Sequence, residues 1–164
     1  MEATVIRLAT TADAPAICAI YNHYVEHTFV TFEETPVTPA AMAERIADIQ
    51  RTHVWYVACL DDVVAGYAYA GAWRTRSAYR FTVEATVYLD HERTRQGLGR
   101  TLYERLLADL RELGFRSALG GIALPNDASI ALHERMGFVK VAHLREVGFK
   151  FNRWIDVAYW QRAL

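Results

Sequence analysis

The sequence predicts a mixed α/β fold, a central and mostly antiparallel sheet flanked by helices. Three observations carry this. Segments of period two alternate along the chain with segments of period 3.6. Several of the strand-like segments are joined as sequential hairpins, which argues against a purely parallel, doubly wound sheet. One segment, "FTVEATVYL", then passes through a glycine turn, "RTRQGLGR", directly into a helix-like stretch.

The elements follow in order. "TVIRLA" reads as an opening strand. "TTADAPAICAIYNHYVEH" reads as a helix: Thr10 and Asp13 have capping-box spacing, and Ile17, Ile20 and Tyr24 form one stripe. Thr38 and Pro39 give an N-cap and an N1 proline for a second helix with Met42, Ile46 and Ile49 on its inner face. "VWYVACL" and "VVAGYAYAGAW", joined by Asp61-Asp62, read as a hairpin. In the next strand Phe81, Val83, Ala85, Val87 and Leu89 alternate with Thr82, Glu84, Thr86 and Tyr88, so Glu84 and Tyr88 share a face. Leu102, Leu106, Leu110 and Leu113 line the helix after the glycine turn, and Gly114 closes it. "SALGGIAL" is a strand. "PNDASIALHERMG" is a short helix capped by Asn126 or Asp127 and stopped by Gly137, and the remaining tail carries two more strands.

The 164 residues are read as one domain, 1–164, long enough to bury a core. With 52% hydrophobic and 23% charged residues and a net charge of −1, no general nucleic-acid or membrane footprint is expected, so any basic site is local. No apolar run is long enough to span a bilayer, and "MEATVIRLAT" has no signal-peptide layout. Cys18 and Cys59 lie in apolar segments without a C-x-x-C pattern and read as reduced core thiols, which places the chain in the cytoplasm.

A glycine turn between a strand and a helix lets backbone N–H groups converge on an anion. A nucleoside-triphosphate loop needs Gly-Lys-Ser/Thr, whereas Gly99 is followed by Arg100-Thr101. A dinucleotide fingerprint needs a third glycine where Leu102 stands, and an acid about 20 residues on that "SALGG" lacks. Two readings stay open from the turn itself. One is a pyrophosphate, as in coenzyme A, approached closely at Gly97 and Gly99; the other is a solvated turn whose arginines face water.

The turn followed by "PNDASIALHERMGF" about thirty residues on resembles the GNAT acetyltransferases, with Thr94 where the family usually has Gln or Arg. Within that superfamily "IYNHYVEHTFVTFEETP", "AYAGAWRTRSAY", "TVEATVYL", "GLGRTLYERLL", "LPNDASIALHERMGF" and "GFKFNRWIDVAYWQ" resemble, in order, the phosphinothricin N-acetyltransferases. The resemblance implies transfer of acetyl from acetyl-CoA, without a metal, to the α-amino group of phosphinothricin, and hence resistance to that herbicide. Methionine sulfoximine, methionine sulfone or another amino acid is the alternative acceptor. It implies a homodimer with the active site near the partner, to which the apolar "YWQRAL" would contribute.

Acetyl transfer requires proton removal from the amine, stabilisation of the oxyanion and a fate for the thiolate. Glu84 matches the family's catalytic glutamate and is the only carboxylate in its strand; burial would raise its pKa toward that of a useful base. His133 stands where many GNAT enzymes carry a tyrosine aimed at the coenzyme sulfur, with a role at the thiolate or in a proton relay. Both also have plain structural readings, as a solvated strand residue and a satisfied helix histidine. The resemblance assigns the backbone of Val87, Tyr88 and Leu89 to the acetyl carbonyl and pantetheine. It assigns Arg95, Gln96, Gly97, Leu98, Gly99 and Arg100 to the pyrophosphate, and Asn126 to the pantetheine amides, a role that competes with helix capping. The resemblance also implies that Phe32, Arg74, Arg76, Tyr79 and Tyr88 surround the acceptor. Arg74 and Arg76, two apart, suit a ligand with a carboxylate and a second polar group, with Arg76 the favoured one.

Two other classes compete. "HYVEH" matches H-x-x-E-H, a zinc hydrolase pattern through His23, Glu26 and His27, but no third ligand is apparent. A non-catalytic acyl-CoA sensor would keep the turn without the chemistry; the presence of both Glu84 and His133 argues against it.

Overall fold

The structure, a computed structural model, describes residues 4–94 and 96–164. Among these residues there are seven strands: β1 Thr4–Leu8, β2 Trp55–Leu60, β3 Val63–Ala72, β4 Thr82–Leu89, β5 Ser117–Ala123, β6 Val139–Lys150 and β7 Arg153–Ala163. The helices are α1 Ala14–His27, α2 Pro39–Gln50, α3 Leu98–Glu112 and α4 Asp127–Arg135. The strands form one sheet in the order β1-β2-β3-β4-β5-β7-β6, antiparallel except where β4 and β5 run parallel. This is the mixed, mostly antiparallel α/β architecture the sequence predicts.

Local chemistry fixes the ends of the elements. The Asp13 carboxylate accepts the Thr10 backbone N–H at 2.8 Å and holds Arg7 through two bonds of 2.8 Å, tying the start of the first helical segment to β1. That start is a single 3-10 turn, Thr11–Asp13, before α1 proper. Thr38 caps α2 through the Ala41 N–H, with Pro39 as its first residue. Asp61 and Asp62 at the β2–β3 turn, and Phe151 and Asn152 at the β6–β7 turn, have positive φ at both positions, which matches the right-handed twist of a hairpin.

The alternation of β2 to β5 sorts side chains onto two buried faces. Ile17, Ile20, Met42 and Ile46 of α1 and α2 pack on Val57 and Tyr67. Leu102, Leu106 and Leu110 of α3 pack on Tyr56, Ala68, Val83 and Ala85 of the other face. Burying such side chains contributes about 1.5–3 kcal/mol each. Two expected core residues lie outside. Leu113 is 60% exposed because α3 ends at Glu112 and the chain turns at Gly114 (φ 89°); Phe81 is 47% exposed, precedes β4 and carries Arg80 over its ring. The C-terminal "YWQRAL" is not a free apolar patch either. β7 lies between β5 and β6, and Trp160 is buried in the core. Among the described residues no helix is long and apolar enough to cross a membrane.

Candidate active site

The parallel pair β4–β5 is joined only at its start, Thr82↔Ser117, Val83↔Ala118 and Glu84↔Leu119. Beyond that, β4 stays paired with β3 as far as Leu89, and β5 with β7 as far as Ala123. Ala85–Leu89 and Gly120–Ala123 therefore diverge, leaving a wedge with backbone edges on both sides. Unpaired backbone amides seek partners, and an extended amide-bearing chain is the ligand shape that supplies them. Val87, Tyr88 and Leu89 all lie along this wedge.

Glu84 stands at its vertex. Burial raises its carboxyl pKa above the ordinary value, as a neutral-pH base requires. The side chain opens into a cavity of about 280 Å³ lined also by Val30, Phe32, Gly121, Leu144, Val147 and Tyr159. A methyl at residue 121 would lie 3.2 Å from Glu84 Oε1 and 3.1 Å from the Tyr159 ring, so Gly121 leaves the floor low. The Tyr159 phenol is pushed up by burial and by Glu84, and down by the charge of Arg74. It thus stands within electrostatic reach of both.

His133 occupies the opposite face. It is 4% exposed; its Nδ1 is 2.7 Å from the Ser129 carbonyl and its Nε2 2.9 Å from the Tyr103 hydroxyl. A carbonyl only accepts, so Nδ1 carries the proton and Nε2 takes the phenol's hydrogen bond. Burial lowers the imidazole's pKa, which favours the neutral ring. Both nitrogens are engaged, the arrangement of a satisfied helix histidine, which is the plain structural reading of this position. A methyl at residue 120 would come within 2.5 Å of Nε2, so the ring lies directly against the first diverging residue of β5.

At the mouth of the wedge Gly97 is the N-cap of α3 in the left-handed conformation (φ 77°), with nothing among the described residues within 4 Å of where a side chain would begin. Among the described residues no side-chain cap closes the helix, which leaves its first N–H groups at the positive end of the dipole. Gly99 lies against Leu132 of α4, 3.3 Å from a would-be methyl. Leu98 is buried and Gln96 exposed, while Arg100 turns along the helix to Glu104 at 2.7 Å. Arg95 lies outside the described residues. Asn126 caps α4, its Oδ1 accepting the Ser129 N–H at 3.2 Å, which answers the choice between Asn126 and Asp127.

The acceptor residues divide. Phe32 lines the cavity. Tyr88, on the Glu84 face, sits among Tyr21, Tyr24 and Tyr67, with ring centroids 5.1–5.7 Å away, and burial keeps it protonated. Tyr79 packs edge-on to Trp73, over which the Arg74 guanidinium also lies at 4.6 Å. Arg74 and Arg76 are exposed and neither lines the cavity; the charge of Arg74 is felt at the Tyr159 phenol. Sequence reasoning missed Tyr159 and Gly121. Alternation places them on faces of β7 and β5, but only the sheet order brings those faces beside Glu84. His23, from the H-x-x-E-H match, stacks on His91 at 3.6 Å, and among the described residues no group of three or more His, Cys, Asp or Glu is arranged to hold a metal.

Residues 6–159 match the acetyltransferase (GNAT) domain family. The chain is 46% identical over 157 residues to phosphinothricin N-acetyltransferase of Streptomyces viridochromogenes, covering 96% of this chain and 86% of that protein. It is 37% identical to an L-methionine sulfoximine/L-methionine sulfone acetyltransferase of Salmonella typhimurium, covering 97% and 94%. A phosphinothricin acetyltransferase of the GNAT superfamily from Sinorhizobium meliloti, solved in complex with acetyl-CoA, superposes with a TM-score of 0.95 at 39% identity, covering 98% of this chain and 88% of that one. A sheet parted between β4 and β5, an open helix N-terminus at its mouth and full-length similarity agree: the chain belongs to the GNAT acetyltransferases, in the phosphinothricin N-acetyltransferase family, and is an acetyl-CoA-dependent N-acetyltransferase.

Proposed function

We propose that the protein acetylates the α-amino group of phosphinothricin or a closely similar amino acid, with Glu84 as general base. The observation that carries this is the half-buried Glu84 carboxylate opening into a cavity at the point where β4 and β5 part. The amine arrives mostly as ammonium, since α-amino groups have pKa values of about 8. Glu84 takes its proton, directly or through a water, and the nitrogen attacks the thioester carbonyl carbon. As the tetrahedral adduct collapses the C–S bond breaks and the sulfur leaves as thiolate. The nitrogen gives up its second proton, which neutralises that thiolate, so the products are the N-acetyl amide and the free thiol. The backbone of Val87–Leu89 holds the acyl carbonyl and the pantetheine arm, Asn126 adds an amide contact through its uncommitted nitrogen, and the Gly97–Arg100 turn with Arg95 holds the pyrophosphate.

His133 serves on the leaving-group side of this reading, in a relay with Tyr103. Its neutral ring and the phenol bonded to Nε2 lie against Gly120, where the diverging strands begin. Among acceptors, amino acids with a polar second group near Arg74 are favoured; methionine sulfoximine and methionine sulfone are the second reading, supported by the relatives that act on them. The enzyme is a cytoplasmic homodimer in this account. β6 is an edge strand, and Val139, Val141, Val147, Phe149 and Trp154 on β6 and β7 are each at least half exposed, an apolar surface suited to a second copy. The deciding experiment is a thiol-release assay with acetyl-CoA and a panel of amino acids including phosphinothricin and methionine sulfoximine, on wild type and Glu84→Gln. Activity on none of them, or an unimpaired variant, overturns the reading.

A further inference from the structure

The roof of the cavity beside Glu84 is the segment after α1, and β6 holds it. The Phe32 ring lies on Gly148: a methyl there would stand 2.3 Å from Phe32 Cζ and 2.5 Å from Cε2. Two residues on, on the same face of the strand, Lys150 is 2% exposed and its ammonium donates to the Thr31 carbonyl at 2.8 Å. The Thr31 hydroxyl is bonded to the Tyr21 hydroxyl at 2.7 Å, and Glu33 pairs with Arg45 of α2 at 2.5 Å. Three consecutive roof residues are thus anchored to α1, α2 and β6. Neither Gly148 nor Lys150 lines the cavity.

We propose that Gly148 is a specificity-determining residue for the acceptor amine: its missing side chain seats Phe32 back against β6 and so sets the depth of the cavity, while Lys150 is the positioning residue that holds the same segment through Thr31. This rests on the reading of that cavity as the acceptor site. Any side chain at 148 displaces the ring. Because Thr31 and Glu33 fix the backbone on either side, the ring yields toward the cavity rather than carrying the loop away. In a space of about 280 Å³ that lost depth falls on the far end of the acceptor's side chain, not on its α-amine beside Glu84. A single methylene in such a pocket discriminates by about 10- to 200-fold. Lys150 works differently. It leaves the wall unchanged but its loss frees Thr31, so it affects all acceptors alike.

The test is a series of unbranched 2-amino acids of increasing length, with phosphinothricin, assayed with acetyl-CoA. Gly148→Ala is expected to lower kcat/KM about tenfold or more for the longest acceptors, spare the shortest and leave the acetyl-CoA KM unchanged. Adding Phe32→Leu should restore the long acceptors by giving the methyl room. Lys150→Met should raise the acceptor KM along the whole series, with partial recovery in Lys150→Arg. A wild-type length profile in Gly148→Ala, or one that Phe32→Leu does not reverse, overturns the proposal. Should Gly148→Ala fail to fold, Phe32→Leu alone must extend the accepted length, and an unaltered limit overturns it equally. A fully active Glu84→Gln removes the acceptor-site reading and this proposal together. An inactive Glu84→Gln beside an unchanged Gly148→Ala profile removes the proposal alone.

Discussion

Glu84 and His133 meet the same parting of the sheet from opposite faces: Gly121 lies against the Glu84 carboxylate, and its neighbour Gly120 against His133 Nε2. The Gly-Gly pair of β5 thereby serves one residue on each side. The two glycines should respond differently to a methyl group. Gly120→Ala pushes on a buried ring held by two hydrogen bonds, and overpacking of that kind costs about 1–3 kcal/mol. Gly121→Ala meets its neighbours at 3.1–3.2 Å, a smaller overlap, and should lower turnover more than stability. Urea denaturation beside a steady-state assay separates them, and equal stability losses would contradict the two-faced arrangement.

Glu84→Gln should retain acetyl-CoA binding and lose about 10²–10⁴-fold in turnover. Because burial raises the Glu84 pKa, the acid limb of the wild-type rate profile should fall at a higher pH than an ordinary carboxylate gives. The deficit of the variant should shrink at alkaline pH, where free amine needs no base. A variant with the wild-type acid limb assigns that limb to another group.

The same shift has a consequence for stability. A carboxyl whose pKa is higher folded than unfolded binds its proton more tightly in the native state, so stability falls as pH rises through that window. The ionised Glu84 therefore opposes folding at neutral pH, and Glu84→Gln should melt higher than wild type there. The difference should vanish below about pH 4, where both states of the wild type are protonated. Asp13 runs the other way. Its bond to Arg7 lowers its pKa, and the stability this confers is present above the ordinary carboxylate range and lost as pH falls through the depressed value.

What the sequence made legible was local or carried by the resemblance. Period two put Glu84 and Tyr88 on one face, and both the Thr38-Pro39 cap and the Asp61-Asp62 turn are decided by neighbours along the chain. Leu113 was misjudged because helical periodicity does not say where a helix stops. The partners of Glu84 were beyond reach for a different reason. Tyr159 comes from β7, 75 residues downstream by number, and reaches the site only because β7 inserts between β5 and β6. Likewise, the engagement of both His133 nitrogens depends on Tyr103 in another helix.

At the glycine turn, Gly97 is the cleaner probe, since a side chain there meets open space and only the backbone conformation and the ligand resist it. Gly97→Val should raise the acetyl-CoA KM about tenfold or more while leaving the acceptor KM little changed, because φ 77° disfavours a β-branched residue and the side chain screens the helix N–H groups. Gly97→Asn tolerates that φ and isolates the screening. Unchanged coenzyme affinity in both folded variants would remove the turn from the pyrophosphate site.

The acceptor's second polar group gives the last prediction. Arg74 lies over Trp73 and its charge is felt at the Tyr159 phenol, which lines the cavity although Arg74 does not. Arg76 is exposed and starts the short turn Ser77–Tyr79, where its carbonyl accepts the Tyr79 N–H. Stacking on Trp73 holds one face of the Arg74 guanidinium while its edge can pair with the two oxygens of a phosphinate or carboxylate. A charge-assisted hydrogen bond contributes about 1.5–3 kcal/mol, a ten- to hundredfold change in affinity. Arg74→Ala should therefore weaken phosphinothricin by about that factor and leave acetyl-CoA unaffected, with Arg76→Ala the milder change. Arg74→Lys should recover only part, since it keeps the charge and loses the fork. An acceptor with an uncharged side chain supplies the control: its weaker acetylation should barely respond to Arg74→Ala. Equal losses for charged and uncharged acceptors would mean that the arginine supports the loop rather than the ligand, and the anion must then be held from another wall of the cavity.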